Sequence, residues 1–311
     1  MYQSPSRIET LTLTSDTLHG NPLGDPHVRT IAVYLPPGHD DLPPRAYPSI
    51  YLLSSHGSTG PSLLNWRPWE MTIHEQIDAL IESGAMPPAI VVLPDMWTRF
   101  GSSQYVNSVG MGRYEDFLID EVVPLVDRSF RTLADRDHRG VMGRSSGGFG
   151  ALTQAMNHPE TFGAFACHSG DLYWEYTCLP GISRMHQHLA RFGGLDAFIR
   201  DIPTLRPKNS AFWDLIMTVC WSAAFGGNPE APHGFDLPID PETGALNEAV
   251  WARWLAHDPI RRLDDPAVVE ALRSMRLAFV DVGQYDEYQL QVGARVLHRR
   301  LEALGIPHVY E

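Results

Sequence analysis

The residues of this chain best suited to chemistry centre on Gly143-Arg144-Ser145-Ser146-Gly147, a G-x-S-x-G in which Ser145 is the candidate nucleophile. The apolar lead-in Val141-Met142 and the helical stripe of Ala151, Leu152, Ala155 and Met156 put the motif between a strand and a helix. A serine at so sharp a turn keeps its hydroxyl exposed, and flanking glycines let the backbone turn without a Cβ clash. The following helix points its free N–H groups and positive dipole end at the same place. Such an arrangement suits acyl transfer, in which the serine oxygen attacks an ester carbonyl and backbone amides hold the oxyanion. Without the strand and helix around it, the motif would be only a glycine-rich turn.

Acyl transfer by a serine also needs a base, an orienting acid and two backbone donors. One donor is expected to be the amide of Ser146, directly after the nucleophile. The second is expected from the loop after an earlier strand. Ile50-Tyr51-Leu52-Leu53 runs into Ser54-Ser55-His56-Gly57-Ser58, where Gly57 permits close approach and the Ser58 amide is chosen, with Gly57 as the fallback. The acid is expected to follow the nucleophile in chain order. Asp286 lies just past the apolar strand 277–282, in Gly283-Gln284-Tyr285-Asp286-Glu287. Its competitors are Asp281, inside that strand, and Glu287, suited to a helix's first turn; Asp286 could also serve only as an N-cap. His56, Gly57, His168 and Trp174 complete the set as candidate substrate-pocket residues.

The elements that must position these groups alternate. Residues 8–18 and 29–35 alternate apolar and polar side chains, as half-buried antiparallel strands do, with residues 20–26 turning between them. Short apolar strands follow at 50–53, 89–93, 141–142, 164–167 and 277–282. Helical periodicity appears at about 113–127, at 146–157 and through Leu290, Ala294, Leu297 and Leu301. Alternating βαβ units imply an α/β fold with a mainly parallel sheet covered on both faces. Residues 171–273 interrupt the rhythm and are read as an inserted helical and loop-like cap, with residues 1–170 and 274–311 forming the core. Of the eight tryptophans, Trp174, Trp213, Trp221, Trp251 and Trp254 lie in that insertion, either as its aromatic core or as pocket walls.

Composition narrows the partners. The formal charge of −13 disfavours nucleic acid and anionic membranes, and no apolar run is long enough to cross a bilayer. Met1-Tyr2-Gln3-Ser4 begins neither a basic nor an apolar leader, so a cytoplasmic protein is expected. The three cysteines, Cys167, Cys178 and Cys220, have no C-x-x-C spacing and suit a reducing compartment. His186 and His188 lack an acidic partner at ligand spacing, so neither metal nor other cofactor is expected. The expected partner is a small-molecule ester, and the composition is compatible with a homo-oligomer.

These residues jointly resemble the putative-esterase (esterase D-like) family of α/β-hydrolases, which includes S-formylglutathione hydrolases, feruloyl and acetylxylan esterases and mycolyltransferases. The similarity runs through Val33-Tyr34-Leu35-Pro36-Pro37-Gly38, Tyr51-Leu52-Leu53 with His56-Gly57, Val91-Val92-Leu93-Pro94-Asp95, Glu121-Val122-Val123-Pro124, Gly143 to Gly148 and Gly283-Gln284-Tyr285-Asp286. It implies an α/β-hydrolase fold with Ser145 as nucleophile, Asp286 as acid and the Ser58 and Ser146 amides as oxyanion hole. The insertion carries none of the family's motifs.

The resemblance also places the catalytic histidine in a turn after the last strand, whereas Pro307-His308-Val309-Tyr310-Glu311 has the pattern of that strand's middle. The base is therefore expected beyond Glu311, within about a dozen residues of a continuing reading frame. His308 is read as a strand residue and His168 as the first alternative base. The leading expectation is a serine carboxylesterase acting on a small or medium acyl or aryl ester through an acyl-Ser145 intermediate. An acyltransferase on the same machinery and an inactive hydrolase-fold binding protein are the alternatives.

Overall fold

A computed structural model describes residues 5–66, 68–206 and 208–311. The described residues form ten strands, named in chain order β1 (Arg7–Thr14), β2 (Val28–Leu35), β3 (Ser49–Leu53), β4 (Ile90–Pro94), β5 (Asn107–Ser108), β6 (Gly112–Arg113), β7 (Arg139–Arg144), β8 (Ala164–His168), β9 (Leu277–Asp281) and β10 (Val309–Tyr310). Eight of them form one sheet in the order β1-β2-β4-β3-β7-β8-β9-β10, and β5 pairs with β6 alone. The pairs β1/β2 and β2/β4 are antiparallel and every other pair in the large sheet is parallel, which is the α/β-hydrolase arrangement.

Local sequence explains the elements. Thr72 and Glu75 form a reciprocal capping box at the start of the helix Ile73–Glu82, satisfying amides that have no intrahelical partner. The helical stretch expected at 113–127 runs from Tyr114 to Ser129 and is wound as a π-helix over Phe117–Val122. Pro124, which has no N–H to donate, stands just after this change of register. One expectation needs correction: β2 is not half-exposed. Ile31, Val33 and Leu35 enter the main core on one face, while Ala32 and Tyr34 pack against Ile77 on the other.

The core has two large parts. One surrounds the sheet and includes Val141, Ala151, Leu152, Phe165 and Leu297. The other is mostly aromatic and lies among the inserted helices, chiefly Leu179–Arg191, Ser210–Phe225 and Glu248–Leu255. Phe149, on the helix Ser146–Asn157, belongs to this second part and touches both Trp174 and Phe225. At 1% exposure, its burial alone contributes on the order of 2 kcal/mol. The insertion boundary expected at 273 lies too late. Ile260, Leu263, Val268 and Leu272 pack into the sheet's own core, so the helices Pro259–Arg262 and Pro266–Arg273 cover the sheet. No helix among the described residues is long and apolar enough to cross a membrane.

Candidate active site

Ser145 stands between β7 and the helix Ser146–Asn157 with φ 58° and ψ −124°, a conformation costly for any residue with a Cβ. Its N–H donates to the carbonyl oxygen of His168 at 2.9 Å, and its own carbonyl accepts from Phe149 N–H at 2.9 Å. The glycines make this turn possible by closeness as well as by freedom. A Cβ on Gly147 would lie 2.3 Å from the Leu53 carbonyl oxygen, and one on Gly143 would lie 2.5 Å from the backbone of Gly147. The motif therefore sets the helix hard against the ends of β3 and β7.

Tyr105 reinforces that contact and was not marked out by the sequence. Its ring packs over Gly150, where a Cβ would come within 2.3 Å of it. Its hydroxyl donates to the Ser54 carbonyl at 2.5 Å, and its own carbonyl accepts from Gln154 Nε2 at 2.8 Å. Gln104 and Tyr105 both hold positive φ, at 52° and 57°. Strained backbone thus spaces the helix Ser146–Asn157 from the loop that carries Ser58.

Ser145 opens into a cavity of about 170 Å³ whose walls include His56, Asp171, Trp213, Trp221 and Tyr288. The His56 ring bonds the Phe100 carbonyl through Nε2 at 2.9 Å, and burial pulls its pKa down to about 4. The Asp171 carboxyl is 7% exposed. Burial pushes its pKa up to about 7, and the charge of Asp286 adds to the rise. That coupling places Asp286 within electrostatic reach of the cavity. Asp286 itself accepts the amide N–H groups of Tyr288 and Leu290 through Oδ1, at 2.9 Å and 3.3 Å. It steadies its own loop and is not the N-cap, which is Gln289.

The oxyanion donors are unequally ready. The Ser146 amide opens its helix and so has no intrahelical acceptor. The Ser58 amide donates to the Ser55 carbonyl at 3.1 Å, near the long end of the hydrogen-bond range, and the Gly57 amide donates to Gly101 at 2.8 Å. Gly57 and Ser58 line a second hollow, with Ser55 and Arg144, and not the Ser145 cavity itself. Gly57 nonetheless touches that cavity's wall, since a Cβ there would meet the Trp213 ring at 3.3 Å.

Two expected pocket residues do other work. Trp174 is 1% exposed, donates Nε1–H to the Asp171 carbonyl at 3.0 Å and packs between Phe149 and Phe225; it is core and not pocket wall. His168 is not among the residues that line the cavity; its ring bonds Asp281 at 2.8 Å and lies against Phe279. Among the described residues no histidine is hydrogen-bonded to Asp286 or to the Ser145 hydroxyl. His308 lies just before β10 and not on it as expected, and its ring pairs with His298 at 2.8 Å. His186 bonds the Pro241 carbonyl, and His188 lies 3.5 Å from Asp214. The cavity residues Asp171 and Tyr288 escaped sequence reasoning, although Asp171 follows His168-Ser169-Gly170 at the carboxyl end of a strand, where such sites gather; Trp213 and Trp221 are the insertion tryptophans that do serve as pocket walls.

A mostly parallel sheet with a serine elbow at its carboxyl edge defines an α/β-hydrolase. The chain belongs to the Esterase family, described as Putative esterase, whose profile matches residues 26–294. It is 33% identical over 266 residues to esterase Rv1288 of Mycobacterium tuberculosis, covering 85% of this chain and 47% of that protein. It is also 33% identical over 152 residues to an endo-1,4-beta-xylanase/feruloyl esterase of Xylanibacter ruminicola, covering 47% of this chain and 20% of that one. The chain thus spans less than half the length of these curated relatives. Among solved structures a ferulic acid esterase superposes with a TM-score of 0.60 at 20% identity, over 98% of this chain and 89% of the other. An S-formylglutathione hydrolase from Agrobacterium tumefaciens gives 0.54 at 15%, over 100% and 88%. At these identities the superpositions speak for the fold.

Proposed function

We propose that this chain is a serine carboxylesterase that cleaves a small or medium acyl or aryl ester through an acyl-Ser145 intermediate. The observation that carries the reading is the strained Ser145 backbone at the tip of β7, opening into a cavity beside the N-terminus of the helix Ser146–Asn157. Strain of this kind persists only where the surroundings hold it, and it concentrates at reactive positions.

In this scheme Oγ of Ser145 attacks the ester carbonyl while a general base, which Asp286 is proposed to orient and which no described histidine supplies in place, takes its proton. The oxyanion accepts the Ser146 N–H and the Ser58 N–H, the latter released from its long bond to Ser55. The tetrahedral intermediate expels the alcohol with the base's proton, and water attacking the acyl-enzyme returns Ser145. His56 does not suit the base: its ring is tied to Phe100 and a pKa of about 4 makes it a poor proton acceptor. The membership of an esterase family supports ester hydrolysis.

Fluorophosphonate labelling with peptide mapping, followed by turnover of a p-nitrophenyl ester series by wild type and Ser145→Ala, tests the reading. Stoichiometric label on Ser145 and loss of both label and turnover in the variant are expected. Label on another serine would overturn it.

A further inference from the structure

Asp171 is the feature of this cavity that acyl transfer leaves unexplained. Its carboxyl is 93% buried, lines the same cavity as Ser145, and has no hydrogen bond or ion pair to a described residue. The other carboxylate in the wall, Asp214, is engaged by Arg184 at 2.9 Å and approached by His188 at 3.5 Å. Asp286 adds a further negative charge nearby. Among the described residues no lysine or arginine lines the cavity, while Trp213, Trp221 and Tyr288 present aromatic rings to it. A buried carboxyl without a partner is costly to maintain, so it selects for a ligand that brings one.

We propose that Asp171 is a specificity-determining residue that binds an ammonium group of the substrate, so that the favoured esters carry a positive charge near the scissile bond. The inference rests on Ser145 being the esterase nucleophile. A hydroxyl would satisfy one lone pair of Asp171. A cation does more, offsetting the repulsion between Asp171 and Asp286 and drawing on the negative faces of the three aromatic rings. Anionic esters meet the carboxylates of Asp171 and Asp214 with no cationic side chain among the described lining residues, and are disfavoured. Near neutrality the Asp171 carboxyl is part-protonated, and a bound cation drives it to the ionised form. The other titratable groups facing the cavity are His56, Asp214 and Tyr288.

Choline and its neutral isostere 3,3-dimethylbutan-1-ol separate charge from shape. Binding is followed by tryptophan fluorescence and, independently, by competition against p-nitrophenyl acetate hydrolysis. Wild type is expected to bind choline about tenfold more tightly than the neutral alcohol. Asp171→Asn should bring the ratio close to one. Because the readout is a ratio, a general change in turnover does not enter it. Trp213→Leu, at a side chain 47% exposed, is the second variant should Asp171→Asn fail to fold, and it should weaken choline more than the alcohol. Equal binding of the two probes by wild type, or a choline preference that survives both variants, overturns the inference. Absence of fluorophosphonate label on Ser145 would instead sink the catalytic reading, leaving the fluorescence result to be judged on its own.

Discussion

His168 and Asp281 are joined side chain to side chain at 2.8 Å, and the Ser145 N–H rests on the His168 carbonyl. An Asp-His pair so close to Ser145 invites a catalytic reading, yet its ring lies against Phe279 and not in the cavity. It ties the end of β8 to the end of β9. Asp281→Asn should therefore lower stability by about 1 kcal/mol in denaturant titration while kcat falls less than tenfold. Asp286→Asn should lower kcat by up to about 10⁴. The reverse pattern would transfer the role of acid to Asp281.

Ser145→Gly should be more stable than Ser145→Ala, by roughly 1 to 2 kcal/mol, because glycine alone relieves the positive φ at the turn. Both should lack esterase activity. Equal midpoints in urea would mean that the elbow stores no strain.

Tyr105→Phe removes the hydroxyl that holds the Ser54 carbonyl at 2.5 Å while keeping the ring over Gly150. We expect a loss of about 1 to 2 kcal/mol in stability, together with a several-fold fall in kcat and little change in KM, since the loop bearing Ser58 loses its spacer. A stability loss with unchanged kcat would limit Tyr105 to a packing role.

His56 and Asp171 impose opposite pH dependences on folding. His56 drops from 6.5 to about 4 in the fold, so the unfolded chain protonates first on acidification. The stability this histidine contributes is complete above about pH 6.5 and is lost as pH falls toward 4. Asp171 rises from 3.8 to about 7, so the folded chain keeps its proton longer; its penalty is absent below about pH 4 and complete above about pH 7. Asp171→Asn should raise Tm by several degrees near pH 8, leave it almost unchanged near pH 4, and expose the upward slope due to His56 between those limits. A Tm difference that does not vary with pH would refute this assignment.

The strained turn at Ser145 was legible because its signal is local: Gly143, Ser145 and Gly147 sit between an apolar strand and a helical stripe. The parallel strands were legible for a similar reason, as short apolar runs alternating with helical periodicity. What the sequence hid depends on contacts between distant segments. Trp174 and Trp213 are equivalent in composition, and only the packing of Phe149 and Phe225 makes one core and the other a wall. Two-sided burial of β2 needed the helix Ile73–Glu82 on its outer face. The burial of Asp171 follows from the folding of the insertion over it. The end of the insertion was misplaced because helices that cover a sheet and helices that cap it share one amphipathic pattern.

Phe149 is committed to the aromatic cluster of the insertion, while Ala151 and Leu152, on the same helix, are committed to the sheet. The insertion is therefore not a hinged cover that can swing clear, since lifting it would uncover Phe149 and pull on the turn that holds Ser145. Access to the serine has to come from side-chain motion at the cavity mouth, where Trp213 and Tyr288 are 47% and 57% exposed. Turnover of bulky esters is accordingly expected to depend on how far those two rings rotate, on the timescale of aromatic side-chain reorientation and not of domain opening.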